Sequence, residues 1–238
     1  MPPLPCPECD PANVRERKPN IPTVFFDYDG TLHDTIRVYA PAFRTGYAQL
    51  VEQGLAKPRE FTDEWIAGWL GWTVADMWHA FMPELTEEQW RPISRLIGKE
   101  MFRLIDEGHA GFYDGIEEAL DQLKVDGYRL VLLSNSQHAY CNRHREVFGL
   151  DRWFCDYVIA GDYPGMEKWE YFQKALPCFD GPYAVVGDRF HDIDAAVRAG
   201  VPSVGCGYGC ARPGELDQAS VVVESPRQIP DAVKRLIG

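Results

Sequence analysis

Three short runs of this chain, Thr23–Phe26 (TVFF), Arg129–Ser134 (RLVLLS) and Tyr183–Gly187 (YAVVG), are apolar almost throughout, and each gives way at once to polar residues. Runs of this length and uniformity are the pattern of strands buried on both faces of a sheet. Between them the apolar spacing turns helical. Ile36, Tyr39, Phe43, Tyr47 and Leu50 line one face up to Gly54, and Ile116, Leu120 and Leu123 line another up to Gly127. Further helices are expected near 138–148, 167–176, 193–199 and 230–237, and further strands near 157–160, 203–205 and 221–223. Strands alternating with helices imply a parallel α/β sheet with right-handed crossovers, of the Rossmann-like kind. In such sheets ligands sit beyond the carboxyl ends of the strands. Asp27 and Asp29, Ser134 and Asn135, and Asp188 all stand at such ends.

Residues 36–112 break this alternation. They offer no strand pattern and read as an all-helical insert, with breaks at Gly71-Trp72-Thr73 and Pro83-Glu84-Leu85-Thr86. Thr86 followed by Gln89 is a capping box. The expected organisation is a tail over 1–20, an α/β core formed by 21–35 and 113–238, and the helical insert over 36–112.

Bulk properties exclude several classes. A net charge of −12 and the lack of a Lys/Arg stripe argue against nucleic-acid binding. No apolar run approaches the length that spans a membrane, and residues 1–20 lack an apolar signal core, so a cytoplasmic protein is expected. Seven scattered cysteines suit a reducing compartment. Cys6-Pro-Glu-Cys9 resembles half a zinc knuckle, but its mate, Cys206 and Cys210, has one residue too many between the thiols. Nothing in the sequence fixes an oligomeric state.

The segment Phe25-Phe26-Asp27-Tyr28-Asp29-Gly30-Thr31-Leu32 concentrates the chemistry. In an extended chain Asp27 and Asp29, two apart, point to the same side. Gly30 permits a sharp turn and close approach to a ligand, and Thr31 can cap the helical segment after it. Two adjacent carboxylates are costly unless a cation or a shared proton compensates, and a divalent metal is the simplest compensation. An EF-hand loop does not fit, because Val38 stands where its closing Glu would be.

Four segments stand in order: Asp27-Tyr28-Asp29-Gly30-Thr31, Leu133-Ser134-Asn135-Ser136, Lys168, and Gly187-Asp188-Arg189-Phe190-His191-Asp192. Their types and order resemble the haloacid dehalogenase superfamily, from Thr23 to the C-terminus. Gly205-Cys206-Gly207-Tyr208-Gly209 and Glu224-Ser225-Pro226 add a likeness to its phosphoglycolate-phosphatase-like branch, in which a helical cap is inserted after the first motif. The resemblance implies a Mg²⁺-dependent phosphatase acting on a small phosphorylated metabolite through an aspartyl-phosphate. By the same resemblance, Asp27 is the nucleophile and Asp29 the general acid/base. Gly30, Ser134, Asn135 and Lys168 would bind the phosphoryl group. Asp27, the Asp29 carbonyl and Asp188 would hold Mg²⁺, with Asp192 direct or through water.

Taken singly, Ser134-Asn135 is also a strand-end turn, and Asp188 or Asp192 a helix N-cap. The family follows its lysine with proline, whereas Trp169 stands here, so Lys174 is a second candidate. Asp29 disfavours the dehalogenase and phosphonatase branches, and neither Lys57 nor Lys99 suits the Schiff-base lysine of the latter. A phosphomutase of the β-phosphoglucomutase kind and a non-catalytic phospholigand-binding protein are the alternatives. In the insert, Trp65 and Trp69 suit core packing, and Trp72 is the candidate to face a substrate. Arg37, Arg44, His79 and His191 are expected in surface or turn roles.

Overall fold

The computed structural model describes residues 21–179 and 181–238. Cys6 and Cys9, and the tail expected over 1–20, lie outside the described residues. The chain divides into two compact units, one formed by the residues up to Leu32 together with Phe112–Gly238, the other by His33–Gly111.

The first unit is built on a six-stranded sheet. Its strands are β1 (Thr23–Phe26), β2 (Arg129–Ser134), β3 (Phe154–Ile159), β4 (Tyr183–Gly187), β5 (Ser203–Cys206) and β6 (Val221–Val223). The order is β3-β2-β1-β4-β5-β6, and every pairing is parallel. From β1 the chain builds outward through β2 and β3 on one side, then returns to build β4, β5 and β6 on the other. The reversal lies between β1 and β4, and a parallel α/β sheet opens its ligand crevice at such a point. Register sets Phe26 beside Val186, so the chain leaves β1 next to Gly187 and Asp188.

The helices of this unit are α5 (Ile116–Val125), α6 (His138–Phe148), α7 (Lys168–Ala175), α8 (Phe190–Ala199) and α9 (Ile229–Ile237). Strand alternation assigns them to two layers. Val24 and Phe26 face a core that includes Ile116 and Leu120 of α5, Cys141 of α6, and Ile229 and Val233 of α9. Phe25 faces the opposite core, with Tyr171 and Phe172 of α7 and Ala195 and Ala196 of α8. Both faces are covered, which is why these strands are apolar runs and not alternating ones. β3 begins three residues before the periodicity expects it. Its exposed Cys155 and half-buried Asp156 mask the apolar pattern of an edge strand.

The second unit is helical: α1 (Ile36–Glu52), α2 (Asp63–Ala67), α3 (Val74–Phe81) and α4 (Glu87–Asp106). Thr62 and Thr73 cap α2 and α3 by accepting the backbone N–H of Trp65 and Asp76. At the start of α4, the Gln89 side chain accepts the Thr86 N–H at 2.8 Å, one arm of the box read from sequence. The interior of this unit is aromatic. Phe43, Phe61, Trp65 and Phe81 pack ring on ring, and Trp65 meets Trp69 edge-on at 5.5 Å. No helix among the described residues is long and apolar enough to cross a membrane.

Candidate active site

Asp27 follows Phe26 directly and so continues the face of Phe25, the side on which α7 and α8 pack. Each of these helices sends one charged group to it from its first turn. Lys168, the first residue of α7, donates to Asp27 Oδ1 at 2.5 Å and lies 2.6 Å from Asp192 Oδ1. Asp192, in the first turn of α8, also accepts the Arg189 N–H through Oδ2 at 3.0 Å. Arg189, not Asp192, is the N-cap of α8; Asp192 stands at the third helical position and divides its two carboxylate oxygens between the Arg189 N–H and Lys168.

Asp188 completes the group. Its Oδ1 accepts the Thr31 hydroxyl at 2.9 Å and its Oδ2 the Cys210 N–H at 2.7 Å. Thr31, expected to cap the following helix, instead ties the turn after β1 to the end of β4. Asp27, Asp188 and Asp192 present one oxygen each, all within 4.8 Å of one another, and all three side chains are buried.

Two glycines make this approach feasible. Gly30 has φ +87°, and a Cβ there would lie 2.3 Å from Asp188 Oδ2. A Cβ on Gly209 would meet the Gly30 carbonyl oxygen at 2.4 Å and Asp188 Cβ at 2.5 Å. Backbone cannot yield as a flexible side-chain tip can. Gly209→Ala is therefore expected to displace Asp188 and to cost about 1–3 kcal/mol of stability. Thermal denaturation of the variant beside wild type measures the loss.

The electrostatics explain what such a cluster needs. Burial pushes the pKa of Asp27 well above the usual carboxylate range. Asp192 and Asp188 push the same way, and Lys168 opposes without prevailing. Burial, reinforced by Asp192, pushes Asp188 up to about 7. Burial disfavours the Lys168 ammonium, but Asp192 and Asp27 outweigh it and hold its pKa above the ordinary value. The Lys168 ammonium thus pairs with two of three buried carboxylates, and the charge of Arg189 opposes the shift of the third without prevailing. A hard divalent cation with oxygen ligands fits that donor set and would supply the missing charge.

Asp29 departs from the same-side expectation. The strand ends at Phe26, and the Asp29 carboxylate accepts the Tyr140 hydroxyl of α6 at 2.6 Å instead of joining the cluster. The carboxylates crowding Asp27 belong to Asp188 and Asp192, both distant in sequence. At the end of β2, Ser134 is buried and its Oγ accepts the Ser136 N–H at 3.2 Å, so the strand-end turn exists. Asn135 is exposed, and its Oδ1 accepts the Tyr171 hydroxyl at 2.8 Å. That bond fixes the amide with its NH₂ as the outward donor. Tyr171 lies three residues after Lys168 on one face of α7, so the two reach the cluster together. Lys174 is exposed on α7.

Tyr140, Tyr171 and the backbone of Cys210 escaped the sequence reading. So did a bidentate pair of buried Arg189 with half-buried Glu215, at 2.7 and 3.1 Å. The i, i+3 spacing from Lys168 could have signalled Tyr171; the others depend on contacts between distant segments. Within the helical unit, Trp72 is 36% exposed and stands edge-on to Trp69. Arg44 is bound to Asp63 and the Phe61 carbonyl, and Arg37, Lys57, His79 and Lys99 are exposed.

Comparison with known proteins agrees with this architecture. The chain is 27% identical over 202 residues to pyrophosphatase PpaX of Listeria monocytogenes, covering 83% of this chain and 88% of that one. It is 25% identical over 231 residues to tyrosine-protein kinase PtkA of Mycobacterium bovis, covering 90% and 72% respectively. A crystal structure described as a predicted phosphatase from Clostridium acetobutylicum superposes with a TM-score of 0.75 at 21% identity, over 91% of this chain and all of that one. The family model described as haloacid dehalogenase-like hydrolase matches residues 21–200, which span the sheet from β1 to β4, the helical unit and all four charged residues gathered at the strand ends. With that match over most of its length, the chain belongs to the haloacid dehalogenase-like hydrolases.

Proposed function

We propose that this protein is a Mg²⁺-dependent phosphatase that hydrolyses a small phosphate monoester through an aspartyl-phosphate on Asp27. The observation that carries the reading is the meeting of Asp27, Lys168, Asp188 and Asp192 at the β1/β4 crevice, buried and with more negative charge than Lys168 offsets. An oxygen of Asp27 attacks phosphorus and the ester P–O bond breaks. Asp29 gives its proton to the departing alkoxide, then takes one from the water that attacks the phospho-aspartate, and phosphate leaves. Lys168 neutralises charge on Asp27 and on the transferring group, while the Asn135 amide, Ser134 and the backbone at Gly30 orient the phosphoryl oxygens. Asp27, Asp188 and the Asp29 carbonyl would hold Mg²⁺. Asp192, already engaged by Lys168 and the Arg189 N–H, suits contact through water. When bound, the ion offsets the negative charge that builds up during phosphoryl transfer. Trp72 is the proposed substrate contact of the helical unit.

The likeness to PpaX supports a second substrate class, inorganic pyrophosphate, on the same machinery. A panel of phosphoglycolate, nucleoside monophosphates, sugar phosphates and pyrophosphate, read by phosphate release and isomer formation, separates hydrolysis of each class from mutase activity. Phosphate release with Mg²⁺ supports the reading, and inactivity on every member overturns it.

Metal binding should also register in stability. Mg²⁺ at a hundred times its Kd adds about 2.7 kcal/mol to a fold that binds it only when native, which raises Tm by roughly 5–10 °C for a chain of this size. EDTA should abolish activity and reverse the shift, and Asp188→Asn should remove it. A melting curve indifferent to Mg²⁺ would count against the metal assignment.

A further inference from the structure

Of the two acidic residues that follow β1, Asp27 is held by Lys168, whereas the holder of Asp29 comes from a helix that no sequence motif marks. We propose that Tyr140 is a positioning residue, whose hydroxyl sets the Asp29 carboxylate where it exchanges protons with the leaving group and water. The inference rests on the reading of Asp29 as the acid/base group.

Tyr140 is the third residue of α6 and its side chain is half-buried. Its hydroxyl donates to Asp29 Oδ1 at 2.6 Å, a short bond joining residues 111 apart in sequence. The ring is itself held. It packs on the His144 ring, one helical turn on, at a centroid distance of 4.2 Å. His144 is fully buried, and its Nδ1 lies 2.5 Å from the hydroxyl of Tyr28. Tyr28 stands between Asp27 and Asp29 in sequence and is buried, with its ring edge-on to both His144 and Tyr140. The segment that carries the acid/base residue and the helix that orients it are therefore tied at two points, Tyr28 to His144 and Asp29 to Tyr140.

The physical need is clear. A proton-transfer group displaced by about 1 Å can lose roughly a hundredfold in rate, so the direction of the Asp29 carboxylate matters to the chemistry. A tyrosine supplies a donor on a rigid ring with only two rotatable bonds, so holding it in one geometry costs little entropy. The bond reaches Asp29, which stands apart from the cluster of Asp27, Asp188 and Asp192, and so its role is distinct from charge compensation there.

The test is a double-mutant cycle on the full chain: wild type, Tyr140→Phe, Asp29→Asn and the double variant. Glycerol 2-phosphate has a leaving group that needs a proton. Release of 4-nitrophenolate from 4-nitrophenyl phosphate in a single turnover does not, so Asp29→Asn keeps a measurable rate there. Tyr140→Phe should lower kcat on glycerol 2-phosphate about 10- to 100-fold. The inhibition constant of inorganic phosphate should stay within about twofold, because phosphate binding does not use the proton. On the Asp29→Asn background, Tyr140→Phe should bring no further loss, since its effect runs through Asp29. Thermal melting checks folding, and Tyr140→Met serves the same cycle if the Phe variant is too unstable. Wild-type kcat in Tyr140→Phe overturns the proposal. So does a loss that multiplies that of Asp29→Asn, or one matched by weaker phosphate binding, since either marks a merely structural role. A wild-type protein that releases no phosphate from either ester overturns the phosphatase reading, and the proposal with it.

Discussion

Asp27→Asn will lower turnover by at least about 10⁴-fold, the scale on which enzymes lose rate when a covalent nucleophile is removed, and will not lower the melting temperature. The second half of this expectation follows from the electrostatics and is the less obvious one. Asparagine has nearly the shape of aspartate, so packing at the end of β1 is kept. The charge that is lost is one that the fold disfavours. Burial, Asp192 and Asp188 together raise the Asp27 pKa, and the ammonium of Lys168 does not restore it. Lys168 keeps its second partner, Asp192, at 2.6 Å. A metal-free sample should therefore melt at the wild-type temperature or a few degrees above it, while steady-state phosphate release falls to background. Substantial residual turnover would remove Asp27 as the nucleophile. A large drop in Tm would show that the Lys168 pair outweighs the repulsion, contrary to the direction of the shift.

Lys168→Met should do the reverse and damage stability and rate together. Methionine fills a similar volume, so the effect isolates the charge. Lys168 is 3% exposed, and its removal takes from buried Asp27 and Asp192 the ammonium that pairs with both. Breaking a buried pair in this way costs about 3–5 kcal/mol, or roughly 6–20 °C in Tm for a chain of this size. Saturating Mg²⁺ should recover part of that loss, because it supplies charge to the same carboxylates. It should not recover kcat, which is expected to fall about 10²- to 10³-fold with the loss of a preorganised cation beside the transferring group. Differential scanning calorimetry with and without Mg²⁺, set beside kcat, separates the two effects. A variant as stable as wild type without metal would contradict the ion-pair account, and Lys174, exposed on the same helix, would not replace it.

The two variants probe different kinds of information. That Asp27, Asp188, Asp192 and Lys168 follow strands or open helices was legible in the sequence, because apolar runs and their abrupt ends are local features. The helical character of residues beyond Ile36 was legible for the same reason, as was the capping box at Thr86. Reading Asp27 and Asp29 as a same-side pair failed because that rule needs an extended chain, and the extension stops at Phe26. Thr31 failed as a cap because its hydroxyl found a better acceptor in Asp188, 157 residues away. The start of β3 was hidden because an edge strand carries exposed polar positions.

Element types, the parallel alternation and the motif order are written into the chain itself, since propensity and hydrophobic period act over a few residues. Which charges share one crevice and which stand apart is a property of the folded molecule alone. Tyr140 holding Asp29, Tyr171 orienting Asn135 and Cys210 capping Asp188 are contacts between segments separated by 111, 36 and 22 residues. Such contacts arise from strand order and register, and no local pattern encodes them.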